Sequence, residues 1–300
     1  MSITEEITPT KVRAWILASR PKTLPAAVTP VIIGSALAFN DGVFHFGPAL
    51  AALLCALFIQ IGTNFSNDLL DYKAGTDTEE RTGPARAVAS KWLTENEMLW
   101  GTIIIFGLTV PLGLYLIAKA GIIVLFIGLL SIAAGIAYTG GPYPLAYNGL
   151  GDLFVLIFFG GVATVGTYFV QAVDVTAEAF IAAIPAGGLI TNILVVNNYR
   201  DIDSDKNTRK HTLAVILGKA GSRAEYVGFV VLSYVVPAVF FLWFDYSPWI
   251  FLPFLSLPLA IQPIRLLYSG LEGRDLNQVL AETARLSLLY ALLLSAGIIL

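Results

Sequence analysis

Two acidic clusters far apart in the chain carry its chemistry. The first is NFSNDLLDYKAGTD (residues 64–77), which ends a run from residue 43 with no charge apart from His45. On a helix turning about 100° per residue, Asn64, Asn67, Asp68 and Asp71 fall within an arc of about 100°. Gly75 then breaks the pattern, so Asp77 is expected on a loop past the helix end. The second cluster is NNYRDIDSD (residues 197–205). Here Asn197, Asp201 and Asp205 fall within about 80° while Asp203 points elsewhere. Both read Asn-x-x-x-Asp at the mouth of a helix. The two halves are expected to face each other across a cavity.

Clustered carboxylates repel, and near a low-dielectric boundary they stay ionised together only beside positive charge. Hard oxygen donors, with one cysteine and two distant histidines in the chain, select Mg²⁺ or a similar cation. Asn64, Asn67 and Asn197 are neutral oxygen donors that complete such a shell or orient an aspartate. Mg²⁺ prefers a couple of carboxylates together with waters and phosphate oxygens. Lys73, Arg81 and Arg86 follow the first cluster, and Arg200, Lys206, Arg209 and Lys210 surround the second. The expected ligand is a diphosphate held by Mg²⁺ and these basic side chains above an apolar cavity.

The elements that position these clusters are membrane helices. Hydrophobic residues make up 56% of the chain and charged residues 13%, half the roughly 25% of soluble domains. Charge-free runs cover residues 23–40, 42–67, 99–118, 120–151, 153–173, 179–199, 226–244, 246–264 and 286–300. Most approach the ~20 residues that cross a bilayer core, and TGGPYP (residues 139–144) ends the fourth span near Tyr138. The reading is an all-α, polytopic membrane protein with nine transmembrane helices around a central cavity. With the N-terminus inside, the cytoplasmic segments hold all 18 Lys and Arg except Lys119, as the positive-inside rule requires. Both acidic loops, spanning 68–97 and 200–223, are then cytoplasmic, in the cell membrane. One domain is expected over residues 1–300, with a flexible arm at 1–11.

The clusters resemble the motifs of the UbiA superfamily of intramembrane aromatic prenyltransferases, N-D-x-x-D-x-x-x-D and D-x-x-x-D. Asn67, Asp68 and Asp71 match the first, and Asp201 and Asp205 match the second. Asp77 lies two residues later than the family's third acid. That displacement, Gly-Pro-x-Arg at 83–86 and R-K-x-T-L-A-V at 209–215 are similar to the branch that prenylates 1,4-dihydroxy-2-naphthoate. So are SRPKTLPAAVTPVIIGSALA (residues 19–38), YTGGPYPLAYNGLGD (138–152) and LNQVLAETARLSLLYALLL (276–294). The corner after Tyr138 lacks the basic pair usual in 4-hydroxybenzoate-type enzymes.

The resemblance implies a membrane enzyme in which Mg²⁺ on Asp68, Asp71, Asp201 and Asp205 bridges the diphosphate of a polyprenyl donor. Loss of diphosphate leaves an allylic cation, which the ring carbon bearing the carboxylate attacks, with loss of CO₂. The product is a demethylmenaquinol, in menaquinone biosynthesis. Tyr138, Tyr143 and Tyr147, with Arg20 and Lys22 on one face at the start of helix 1, are expected around the acceptor and prenyl pocket. The partners are polyprenyl diphosphate, 1,4-dihydroxy-2-naphthoate and the lipid bilayer; no nucleic acid is expected, and no oligomeric state is assigned. Other superfamily acceptors are homogentisate, 4-hydroxybenzoate, chlorophyllide or a glyceryl lipid. A cation-coupled transporter would place its charges near the bilayer midplane instead. The D-G-x-x-A-R spacing of CDP-alcohol phosphotransferases is absent.

Overall fold

Apolar runs in hydrocarbon must pair their own amides, which helices do within one segment. A computed structural model of the chain describes residues 9–76, 83, 85–208 and 210–300, and every regular element among them is helical. Asp77, Arg81 and Arg209 lie outside the described residues. In order the helices are α1 (Lys11–Ala18), α2 (Pro25–Asn40), α3 (Phe46–Lys73), α4 (Glu95–Ala120) and α5 (Ile123–Ala137). There follow α6 (Gly151–Ala172), α7 (Ala177–Lys206), α8 (Leu213–Trp243), α9 (Pro248–Tyr268) and α10 (Gly273–Ile299). The chain is a multi-pass membrane protein.

The expected count of nine spans is not confirmed among the described residues. Seven of the described helices are long and apolar enough to cross a membrane, and the pair Lys11–Thr23 and Pro25–Asn40, bent by 50°, makes an eighth. Helix α5 has only 15 residues, about 22 Å at 1.5 Å per residue, which falls short of the ~30 Å core. The bend before α2 also changes the reading of Arg20 and Lys22. They do not share a helix face: Arg20 has φ 54°, in the left-handed region, and Lys22 lies in the 3₁₀ turn Pro21–Thr23. Arg20 is half-buried and Lys22 exposed.

Helix α7 is the axis of the bundle. Of its most apolar stretch 78% is buried inside the protein, against 11% for α4. It packs against α2, α6, α8 and α10. Small residues permit this: a Cβ added at Gly187 of α7 would stand 2.8 Å from the Cα of Gly160 on α6, so the two backbones touch as membrane helices do. Around Gly160, helix α6 widens into π-helical turns over Leu156–Val165. Outward-facing Trp100, Ile104, Val110 and Leu114 of α4 are exposed, the surface a bilayer covers.

As expected, the described residues of both acidic clusters lie at helix ends. Helix α3 continues to Lys73 and α7 to Lys206, and α8 starts at Leu213, so both connecting loops are shorter than the sequence suggested.

Candidate functional site

Asp71 is fixed by the way α3 stops. Gly75 adopts φ 67°, a conformation that suits glycine. Its N–H donates to the Tyr72 carbonyl at 3.0 Å, while the Thr76 N–H donates to the Asp71 carbonyl at 3.1 Å. These two bonds form a Schellman motif, which holds the last turn of α3 rigid where Asp71 projects.

The Asp71 carboxylate, 1% exposed, gathers partners from three parts of the chain. Arg86 Nη2 donates to its Oδ2 at 2.6 Å. Tyr147 donates its hydroxyl to Oδ1 at 2.5 Å, and Lys210 Nζ stands 3.6 Å from the same oxygen. Lys210 also lies 4.9 Å from the centre of the Tyr147 ring, a cation–π contact. Tyr147 is delivered by the short 3₁₀ turn Leu145–Asn148, and its backbone carbonyl accepts from the His211 N–H at 2.9 Å. The segment after α7 therefore docks on the end of α3, which places the two acidic helix ends on the same side of the bundle.

Asp68 has a different task. Its oxygens accept the backbone N–H groups of Ala87 and Val88 at 2.9 and 3.0 Å. Ala87, Val88 and Leu93 are buried in one apolar cluster with Phe65 and Leu69 of α3 and Ala14 and Ala18 of α1. Charge-assisted bonds and apolar packing together bind the returning segment to α3, which is what carries Arg86 to Asp71. Asn67 accepts from the Thr139 hydroxyl at 2.9 Å and so ties α3 to the corner after α5. Asn64 donates to the Ser19 carbonyl at 3.0 Å and pins the α1–α2 bend. The expected common face is present, with all four residues buried, but each member serves a different contact.

On α7, Arg200 is the hub. Its Nε and Nη2 form a fork on Asp201 at 2.8 and 2.6 Å, the bidentate geometry that favours arginine. Nη2 also reaches Asn197 Oδ1 at 2.9 Å and Nη1 reaches Asn277 Oδ1 at 2.6 Å. Asn277 was not read as a site residue, because its partner lies on another helix and nothing local marks it. Asp205, one turn beyond Asp201, is half-buried. Asp203 points elsewhere, as expected, and is exposed beside Lys206 and Lys219.

The basic residues separate into two groups. Arg86, Arg200 and Lys210 contact the aspartates. Lys73 and Lys206 pair instead with Glu95 and Asp203, away from the aspartates. Tyr147 binds Asp71, and Tyr138 lies within electrostatic reach of Asp71, Asp152 and Arg20. Tyr143, 60% exposed, is not part of this group, and neither is Lys22.

At Asp71 and Asp201 positive charge is thus supplied by the chain itself, from Arg86, Lys210 and Arg200. Among the described residues no group of three or more Asp, Glu, His or Cys stands close enough to hold a metal ion. The donor chemistry still fits a hard cation, since Asp68, Asp71, Asp201 and Asp205 offer only carboxylate oxygen and Asn67 and Asn197 neutral oxygen. Asp71 is paired with Arg86 and Lys210, and Asp201 with Arg200, so a cation held there would share those carboxylates with them.

Comparison with known proteins places this arrangement. The profile of the UbiA prenyltransferase family matches residues 27–276. The chain is 37% identical to the 1,4-dihydroxy-2-naphthoate octaprenyltransferase of Escherichia coli, over 97% of this chain and 96% of that protein. The apo structure of a UbiA homolog from Aeropyrum pernix superposes with a TM-score of 0.71 at 14% identity, covering 93% of this chain and 98% of the other. A UbiA homolog from Archaeoglobus fulgidus bound to GPP and Mg²⁺ superposes with a TM-score of 0.61 at 15% identity, over 95% and 99%.

Proposed function

This chain belongs to the UbiA prenyltransferase family, and on that premise we propose that it transfers a polyprenyl group from a polyprenyl diphosphate to 1,4-dihydroxy-2-naphthoate. The observation that carries the acceptor assignment is the 37% identity, nearly end to end, with an octaprenyltransferase of that name. Diphosphate and CO₂ leave, and the product is a demethylmenaquinol.

Asp71 and Asp201, with Asp68 and Asp205, would hold Mg²⁺, whose charge offsets that developing on the leaving diphosphate. Support for the metal comes from the donor set and from the Mg²⁺-bound structural neighbour. The chain's own residues do the rest. Arg86, Arg200 and Lys210 stand beside the aspartates and would bind the oxygens of the donor's diphosphate. Tyr138 and Tyr147 present phenol rings next to Asp71, and the surrounding helices exclude water from the reacting allylic carbon. The distribution of basic residues supports a cytoplasmic location for the site.

The test is turnover of 1,4-dihydroxy-2-naphthoate and a long polyprenyl diphosphate by membranes containing the protein, with homogentisate and 4-hydroxybenzoate as competitors. Turnover should need Mg²⁺ and disappear in Asp71→Asn and Asp201→Asn. Metal-independent turnover, or full activity in either variant, would refute the metal bridge, and preference for another competitor would refute the acceptor.

A further inference from the structure

Asp152 takes no part in the metal and diphosphate contacts, yet one of its carboxylate oxygens is buried without a partner among the described residues. It stands in the first turn of α6, is 4% exposed, and its Oδ2 is buried with no hydrogen-bond partner among the described residues. A buried carboxylate oxygen without a donor costs free energy in the ligand-free protein. Such costs are retained mainly where a ligand supplies the missing group.

The neighbourhood of that oxygen belongs to the site. A Cβ added at the adjacent Gly151 would stand 3.1 Å from the Tyr138 hydroxyl. That hydroxyl feels the charges of Asp152, Asp71 and Arg20. A second carboxyl, Glu225 of α8, is half-buried within electrostatic reach. From the corner after α5, the start of α6 and the α1–α2 bend, a phenol, a bare carboxylate oxygen and a cation therefore gather beside the Asp71 network. What this arrangement lacks is a hydroxyl donor with an anionic group next to it. An aromatic acceptor carrying a hydroxyl ortho to a carboxylate brings both, the first for Asp152 and the second for Arg20.

We propose that Asp152 is a catalytic residue, hydrogen-bonded to the acceptor hydroxyl next to the attacked ring carbon and acting as its base; this rests on the prenyl-transfer reading above. As the allylic C–O bond to diphosphate breaks, a ring π pair forms the new C–C bond. The hydroxyl proton passes to Asp152, and the O–H pair becomes the second bond of a ring C=O. The carboxylate C–C bond then breaks to release CO₂, and its electron pair restores the ring double bond. The C=O π pair returns to oxygen, which takes the proton back from Asp152.

The experiment compares full-length wild-type protein with Asp152→Asn and Asp152→Glu in detergent micelles. It reads three quantities: product formation, affinity for polyprenyl diphosphate with Mg²⁺, and unfolding midpoint. Asp152→Asn should lower kcat by about a hundredfold or more with diphosphate affinity unchanged and no loss of midpoint, because the buried anion it removes is unsatisfied. Asp152→Glu should keep measurable turnover. Wild-type kcat in Asp152→Asn, or an activity loss matched by a fall in midpoint, would overturn the proposal. If the wild-type protein does not turn over dihydroxynaphthoate, the acceptor assignment fails instead. The same comparison on homogentisate or 4-hydroxybenzoate then still decides the role of Asp152.

Discussion

Replacing Arg86 with Met is expected to destabilise the protein by about 3 kcal/mol through loss of its buried ion pair with Asp71. Arg86 and Asp71 are joined at 2.6 Å with side chains 7% and 2% exposed. Removing one member of a buried ion pair costs about 3–5 kcal/mol, because the other charge stays in low dielectric. The low end applies here, since Lys210, 3.6 Å from Asp71, remains as a partial substitute. The segment itself should stay docked, because Asp68 still holds the Ala87 and Val88 amides and the apolar cluster around Leu93 is untouched. The assay is a double-mutant cycle of Arg86→Met and Asp71→Asn, with unfolding free energies measured in detergent without Mg²⁺. The coupling should exceed about 1 kcal/mol, as for residues in one buried network. Additivity within about 0.5 kcal/mol would show that the pair is not the source of the effect and refute the claim that Asp71 depends on Arg86 for its charge balance.

Asn277→Ala should lower turnover about tenfold or more while leaving helix content intact. The Arg200 fork on Asp201 loses its anchor on α10, and a hydrogen bond to a charged group is worth about 1.5–3 kcal/mol. Unchanged kcat/KM would show that the anchor is dispensable. Gly187→Val should cost about 1–3 kcal/mol by overpacking, since its Cβ would meet Gly160 Cα at 2.8 Å. Wild-type thermal stability in that variant would contradict the close α6–α7 contact.

Much of the candidate site could be read from the sequence because helical periodicity is a local property. The arc of Asn64, Asn67, Asp68 and Asp71 became a buried face, and Gly75 ended α3 by a motif that spacing predicts. The span count was less legible. Apolar composition marks every run, but whether a run is straight and long enough depends on bends such as that at Arg20 and on where α5 starts and stops. Roles were legible only at the level of charge. A cluster of acids needs cations, but sequence does not distinguish Mg²⁺ from Arg86, Lys210 and Arg200 at 2.6–3.6 Å. Asn277 and Asp152 were missed for the same reason, since a lone polar residue in a membrane helix has no local signature of its partner, or of lacking one.

The sequence by itself determined the helical membrane architecture, the positions of the two acidic helix ends and the family, because each follows from residue type and short-range spacing. Only the tertiary structure decided which cation neutralises which carboxylate, that Asp68 binds backbone amides while Asp71 binds side chains, and that Asp152 lies buried beside them. Those outcomes depend on contacts between residues far apart in the chain, where Coulomb energy and desolvation act over a few ångströms and sequence separation carries no information about distance.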